Sequence, residues 1–188
     1  MMKQEGMKLL ILLGPSASGK TESAKIMINR YPISRVVTAT TRPKRASEID
    51  GFDYHFFSEM EFEKRKSQGY FAETAYYNGF RYGTPNPELR DDKLIILEPQ
   101  GLASFLHLKR SGIVAIYLKT DEETRQTRMQ LRGDDQAAIA KRIQQDRIDF
   151  ALERTQGLDL VIDTTAISLS DLADRIYQTY LRLLEDKK

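Results

Sequence analysis

Five apolar runs punctuate the chain without internal alternation: Leu9 to Leu13, Val36 to Val37, Leu94 to Leu97, Ile113 to Leu118 and Leu160 to Ile162. A strand with one wet face would alternate apolar and polar positions. Continuous runs therefore predict strands covered on both faces, the habit of a parallel sheet. Helical segments separate most of them. Thr21 to Arg30 follows the first run, and Thr120 with Glu123 three residues on predicts a capped helix through Leu131. Ser170 is placed to cap a last helix with Leu172, Ala173, Ile176, Tyr180, Leu183 and Leu184 on one face. This alternation predicts a three-layer α/β fold around five parallel strands, with ligands received at the carboxyl ends of the strands.

The stretch from Thr38 to about Arg90 breaks the pattern. It gathers Phe52, Tyr54, Phe56, Phe57, Tyr70, Phe71, Tyr76, Tyr77, Phe80 and Tyr82, and Asp50-Gly51 and Asn78-Gly79 are hairpin turn signals. A small antiparallel lobe inserted into the parallel fold is the expectation. The chain shows no internal repeat and no low-complexity tract.

Composition narrows this picture only a little. A chain of 188 residues with 40% hydrophobic content buries one proper core. Its 29 basic against 27 acidic side chains leave a net charge of +2, so any anion recognition is local. The absence of cysteine excludes disulfides and cysteine-ligated zinc. No apolar run is long enough to span a bilayer, and the N-terminus lacks a signal-peptide core, so a soluble cytoplasmic protein is expected. His55 and His107 have no partner spacing for a metal or a triad and read as structural, while the six methionines read as core filling.

The first apolar run leads straight into Gly14-Pro15-Ser16-Ala17-Ser18-Gly19-Lys20-Thr21. This is the G-x-x-x-x-G-K-[ST] loop, in the strand-to-helix context it requires. Its glycines let backbone N–H groups curl around phosphate oxygens, Lys20 reaches the β and γ phosphates, and the Thr21 hydroxyl can hold magnesium. A second anion site is suggested by Thr40-Thr41-Arg42-Pro43-Lys44-Arg45, where two guanidiniums three residues apart can each grip a phosphate bidentately. Read by itself, that segment is equally a solvated basic loop. Arg125, Arg128 and Arg132 recur at i, i+3 and i+7 on one helical face, although Arg125 alone reads as an ordinary surface arginine.

Taken together, Arg42, Arg45, Glu48, the Asp50-Gly51 turn, Tyr54-His55-Phe56, Gly69-Tyr70-Phe71-Ala72-Glu73 and Tyr82-Gly83-Thr84 closely resemble the nucleoside-monophosphate lobe of guanylate kinases. The loop Gly14 to Thr21 belongs to the same pattern. So do Gln100-Gly101, Arg128, Leu131-Arg132-Gly133 and Lys141-Arg142-Ile143, and the likeness covers nearly the whole chain in order. It implies a P-loop NTPase fold with a core of about 1–37 and 92–188, a GMP lobe of about 38–91 and a short helical lid of about 125–147.

The resemblance also implies a distribution of roles. ATP would lie on Gly14 to Thr21 with Arg128 and Arg132. The phosphate of GMP would lie on Arg42, Arg45, Tyr54 and Tyr82, and guanine on Thr38, Glu73 and Thr84. Lys20, Arg42, Arg132 and Arg142 would serve catalysis, and Mg2+ would be held by Thr21 and, through water, by Glu98. Guanine presents N1–H beside an exocyclic amine, so one carboxylate accepts both, whereas adenine turns an acceptor toward it.

The expected partners are ATP and GMP, not nucleic acid or membrane, for a monomer or homodimer. The chain departs from the family where two aspartates are usual and Ile96 and Glu98-Pro99 stand, and at Ser47, where glycine is common. The segment after Thr84 and the lid around Gly133-Asp134-Asp135 look shortened. A kinase of another small phosphorylated metabolite, or a non-catalytic module of the same fold, are the other readings.

Overall fold

The computed structural model describes residues 8–44, 48–77, 79–106, 112–151 and 156–187. Leu9–Leu13 forms β1 at the centre of a five-stranded parallel sheet. Around it lie β2 (Ser34–Arg35), β7 (Lys93–Ile96), β8 (Ile113–Lys119) and β9 (Leu160–Asp163), in the order β2-β7-β1-β8-β9. Every residue of β1 is buried, which is why its sequence does not alternate. Leu10 and Leu12 face one layer, against Ala24 and Met27 of α1 (Lys20–Arg30) and Leu172, Ile176 and Tyr180 of α6 (Leu169–Asp186). Leu9, Ile11 and Leu13 face the other, against Leu102 and Phe105 of α3 (Pro99–Leu106). Truncating any of these leucines to alanine would cost about 2–5 kcal/mol.

Between β2 and β7 the chain builds a second, four-stranded sheet. Its strands are β3 (Ala39–Thr40), β4 (His55–Phe56), β5 (Phe71–Tyr77) and β6 (Phe80–Pro85), in the order β4-β3-β6-β5. It is antiparallel through β3, β6 and β5, and β4 joins β3 in parallel. Asp50-Gly51 makes a tight turn, closed by the Gly51 N–H on Tyr54 O at 2.8 Å, but does not join the strands of a hairpin. Helix α2 (Glu59–Ser67) covers this sheet, with Phe62 stacked on Phe71 at 4.5 Å. A Cβ on Gly83 would come within 2.8 Å of the Phe71 ring and 3.1 Å of Phe62, so a side chain there would part the packing. Among the described residues, no helix is long and apolar enough to cross a membrane.

After β8, α4 (Glu122–Leu131) and α5 (Gln136–Asp149) form a helical hairpin, closed by Gly133 at a φ of 84°. Two helix caps differ from the sequence expectation. The N-cap of α4 is Asp121, whose Oδ1 accepts from Thr124 N–H at 2.7 Å, while Thr120 is buried with its hydroxyl 2.5 Å from that of Thr164. A carboxylate is the stronger cap, which leaves Thr120 free to bond inside. Ser168, not Ser170, caps α6, in a reciprocal pair with Asp171. Strand β2 also ends one residue before Val36, although the Val36 N–H still bonds Leu94 O at 2.8 Å.

Candidate active site

At the carboxyl end of β1 the chain turns through Gly14 and Gly19 into α1. A Cβ on Gly14 would lie 2.5 Å from the carbonyl oxygen of Leu118, so only glycine fits beneath β8. Gly19 precedes the helix at a φ of 95° with no side-chain cap, and Ala17 adopts a positive φ of 62°. The uncapped N-terminus of α1 thus keeps its first N–H groups for an anion. The Lys20 ammonium donates to Gly14 O, to Pro15 O at 2.8 Å and to the Ser18 hydroxyl at 3.5 Å. Burial lowers its pKa, opposed by the charges of Glu98 and Asp146.

Beside the loop, the α4–α5 hairpin supplies four arginines in different situations. Arg128 donates to Ala17 O at 3.2 Å and to Thr164 O at 2.9 Å. With Arg132 it borders a recess of about 320 Å³ over Gly19, Lys20 and Thr21. Arg132 is paired to Asp134, and the Arg142 guanidinium lies 3.9 Å from the same carboxylate. Arg125 points inward and pairs with Asp146 at 2.6 Å, with both side chains buried.

On the other side of Thr21 a cleft of about 850 Å³ runs between the strand ends and the inserted sheet. Thr38, Tyr54, Glu73, Tyr82, Ile96 and Glu98 line it. Glu73 and Thr84 are cross-strand partners, next to a register shift between Phe71 and Glu73 of the kind that re-aims a side chain. The buried Thr84 hydroxyl donates to Glu73 Oε1 at 2.6 Å. Burial raises the Glu73 pKa, and the bonds from Thr84 oppose it. Arg42 pairs with Glu48 at 2.5 Å and lies 5.5 and 5.7 Å from the ring centres of Tyr54 and Phe56. Glu98, across from Lys20, also has its pKa raised by burial.

The comparisons with known proteins decide the family. Residues 6–178 match the family model described as guanylate kinase. The chain is 36% identical to a guanylate kinase of Nostoc sp. over 83% of its own length and 82% of the relative's. It is 30% identical to that of Lactococcus lactis over the whole of both chains. The crystal structure of a guanylate kinase from Anaplasma phagocytophilum superposes with a TM-score of 0.72 at 25% identity, covering 94% of this chain and 86% of that one. The chain belongs to the guanylate kinase family. A gluconokinase structure from Sinorhizobium meliloti, at 15% identity and a TM-score of 0.57, shares the fold alone.

The site residues expected of a guanylate kinase fall into two groups. Ala17 to Thr21, Arg128 and Arg132 come together around one recess, with Gly14 to Ser16 leading into it, while Thr38, Tyr54, Glu73 and Tyr82 line the other, with Thr84 buried behind Glu73 and Arg42 against Tyr54. Thr21 borders both recesses, and Glu98 lines the larger one with it. Arg142 is in the middle of α5, with its guanidinium 3.9 Å from Asp134 and in the lining of neither recess. Arg45, Ser47, Asn78 and His107 lie outside the described residues. His55 stacks on Phe57, at 3.8 Å from Glu88, as a structural residue would.

The sequence reading misplaced one residue and missed two. Arg125 is 5% exposed and is no surface arginine. Its position at the first buried turn of α4 sets it inward. Asp146 sits in a polar helical stretch with nothing to single it out, and Arg35, 5.8 Å from the Tyr54 ring centre on the cleft wall, precedes Arg42 of the basic motif by seven positions.

Proposed function

We propose that this chain transfers the γ-phosphoryl group of ATP to GMP, and to dGMP, yielding the diphosphate and ADP. The observation that carries this reading is Glu73, held by Thr84 inside a cleft that meets the phosphate loop at Thr21. One carboxylate there accepts from both N1–H and the amine of guanine, and adenine would leave it buried and unpaired. Readout of this kind discriminates by up to about 10⁴ to 10⁵.

The attacking oxygen of GMP is already anionic, so the reaction needs no strong general base. The barrier lies in bringing two phosphate groups together, and cations and positioning lower it. The loop amides and Lys20 would hold the donor, with Arg128 and Arg132. Arg42, Arg45, Tyr54 and Tyr82 would hold the acceptor phosphate, with Thr38 beside the base. To reach a phosphate, Lys20 exchanges Gly14 O and Pro15 O for phosphate oxygens, and Arg132 and Arg142 leave Asp134.

The donor set fits Mg2+. Among the described residues there is no cluster of three histidine or acidic side chains to cage a metal. One hydroxyl residue, Thr21, and one acid, Glu98, line the same cleft, which suits an ion held largely by water and phosphates. When bound, Mg2+ would neutralise charge shared between the two nucleotides. In this reading the lobe of about 38–91 and the lid of about 125–147 close together to exclude water. The substrates are small nucleotides of the cytoplasm, taken by a monomer or homodimer without nucleic acid or membrane.

The test is ADP production from ATP and Mg2+ with GMP, dGMP, AMP, UMP and CMP offered separately, and Lys20→Ala as control. Activity confined to the guanine nucleotides is expected. Activity with none of them overturns the assignment of the acceptor.

A further inference from the structure

Two groups of the phosphate loop are engaged from an unexpected direction. The Ser16 N–H donates to Asp146 Oδ2 at 2.9 Å, and the Ser16 hydroxyl to Asp146 Oδ1 at 3.3 Å. Asp146 comes from α5, 130 residues further along the chain. From α4, Arg125 Nη1 donates to the same Oδ2 at 2.6 Å and to Ser16 O at 3.4 Å. One carboxylate and one guanidinium therefore hold both ends of a single peptide residue in the loop's first turn.

This arrangement is costly as a means of holding helices together. The side chains of Arg125 and Asp146 are 6% and 10% exposed, and Arg125 Nε is buried without a hydrogen-bond partner among the described residues. Desolvating such a pair cancels much of its attraction, and apolar side chains of similar volume would join α4 to α5 as well or better. The hairpin already has apolar packing, through Met129, Ile139 and Ile143, which reaches Ala17 of the loop. What the ion pair adds is a directional hold on Ser16. It also places a negative charge that favours the charged form of Lys20.

The pair lies at the base of the hairpin, beside a second bridge in which Arg147 grips Glu122 at 2.6 and 3.0 Å. Arg132 and Asp134 lie at its tip, Arg142 reaches toward Asp134 from the middle of α5, and Arg128 lies between tip and base. We propose that Asp146 is a positioning residue for the triphosphate. With Arg125 as its buried counter-charge, it fixes the phosphate loop to the base of the α4–α5 hairpin, so that the loop amides and Arg128 are set in one geometry. This rests on the reading of Gly14 to Thr21 as the ATP site, and it is independent of the acceptor.

Two variants test it, Arg125→Leu with Asp146→Ala, which removes both charges together, and Asp146→Asn alone, which keeps one acceptor oxygen. Melting temperature, the calorimetric Kd for a non-hydrolysable ATP analogue with Mg2+, and KM for GMP are measured for each. The double variant is expected to melt near the parent and to bind the analogue about tenfold or more weakly, the loss expected for hydrogen bonds to a charged group. Its KM for GMP should stay within about twofold, as a site untouched by a distant change does. If it fails to fold, Asp146→Asn decides by the same readout.

Unchanged analogue affinity in a folded variant overturns the proposal and leaves the pair a structural one. Equal losses for the analogue and GMP overturn it too, since they mark general loosening. A parent chain that does not bind the analogue at all overturns instead the ATP reading on which it stands.

Discussion

The two recesses that meet at Thr21 are built by opposite means. The proposed donor side is built mainly on the consecutive residues Gly14 to Thr21, whose recognition groups are main-chain amides and a helix end, with Arg128 and Arg132 at its border. The acceptor side is made of side chains from four separate segments: Thr38, Tyr54, Glu73 and Tyr82. In the proposed reading the first would bind what every nucleoside triphosphate shares, and the second what distinguishes one base from another. Backbone donors cannot be altered by substitution and are sequence-tolerant, whereas a side-chain acceptor such as Glu73 can be rewired by one change.

Lys20→Ala gives the largest expected effect, because it removes the charge that the phosphate loop itself carries. Turnover should fall by about 10²-fold or more, the scale seen when a preorganised charge-stabilising donor is lost. The fold should not suffer. Burial depresses the Lys20 pKa in the folded state, so at neutral pH, where the unfolded lysine is protonated, its charge opposes folding. A melting temperature equal to or above the parent's, with turnover lost, is the expected pair of results. Retained turnover would break the donor assignment.

Glu73→Gln sharpens the comparison from the other side. The KM for GMP should rise roughly 10- to 100-fold, the worth of hydrogen bonds to a charged acceptor, with the KM for ATP unchanged. Equal effects on both would remove the guanine-reading role. The pH dependence has a definite sign. Burial raises the Glu73 pKa above that of the unfolded chain, so folding is opposed where Glu73 is ionised and relieved as pH falls through its raised pKa. In the proposed reading GMP binding uses the ionised form and should weaken over that same acid range. Glu73→Gln should flatten this pH profile and raise the melting temperature at neutral pH, because the Thr84 hydroxyl still finds an oxygen to donate to.

The same contrast explains what the sequence could reveal. The phosphate loop is contiguous and its chemistry depends on spacing, so it is legible without a fold. The parallel core is legible because strands buried on both faces read as unbroken apolar runs. The inserted sheet was visible from its aromatics, although β4 pairs in parallel, which no turn signal announces. Glu73 and Thr84 are eleven positions apart and meet only through the β5–β6 register, so only the family resemblance singled them out. Nothing in residue spacing or in the family resemblance singles out Arg125 and Asp146. Helical periodicity groups Arg125 with Arg128 and Arg132, but the three-residue step from Arg125 to Arg128 falls about 60° short of a full helical turn, and Arg125 faces inward to Asp146 while Arg128 reaches Ala17 O of the loop.

Arg42→Lys asks how much of the acceptor side depends on shape rather than charge. Arg42 lies against the rings of Tyr54 and Phe56 while its guanidinium engages Glu48 and Pro43 O. Lysine keeps the charge and loses both the planar fork and the stacking, and the two side chains are not interchangeable at such a site. The KM for GMP should rise about tenfold, as expected when a bidentate grip becomes a point charge, with little change for ATP. A variant indistinguishable from the parent would show that charge alone gathers the acceptor phosphate.

Asp134→Asn should give the smallest effect, and in the favourable direction. Asp134 holds Arg132 and has Arg142 at 3.9 Å, both of them half-exposed guanidiniums that the proposed chemistry needs at the phosphates. Its pKa is held below the ordinary carboxylate range, first by the hydrogen bond from Arg132, so the pair persists at neutral and mildly acidic pH and only substitution releases it. Exposed pairs are weak, and releasing the arginines should therefore raise kcat/KM for ATP by roughly two- to fivefold at low salt. Added salt should shrink the difference, because it screens the same attraction in the parent. A fall in kcat/KM would mean instead that Asp134 aims the arginines toward the phosphates, and the tip of the hairpin would join its base as a positioning element of the donor side.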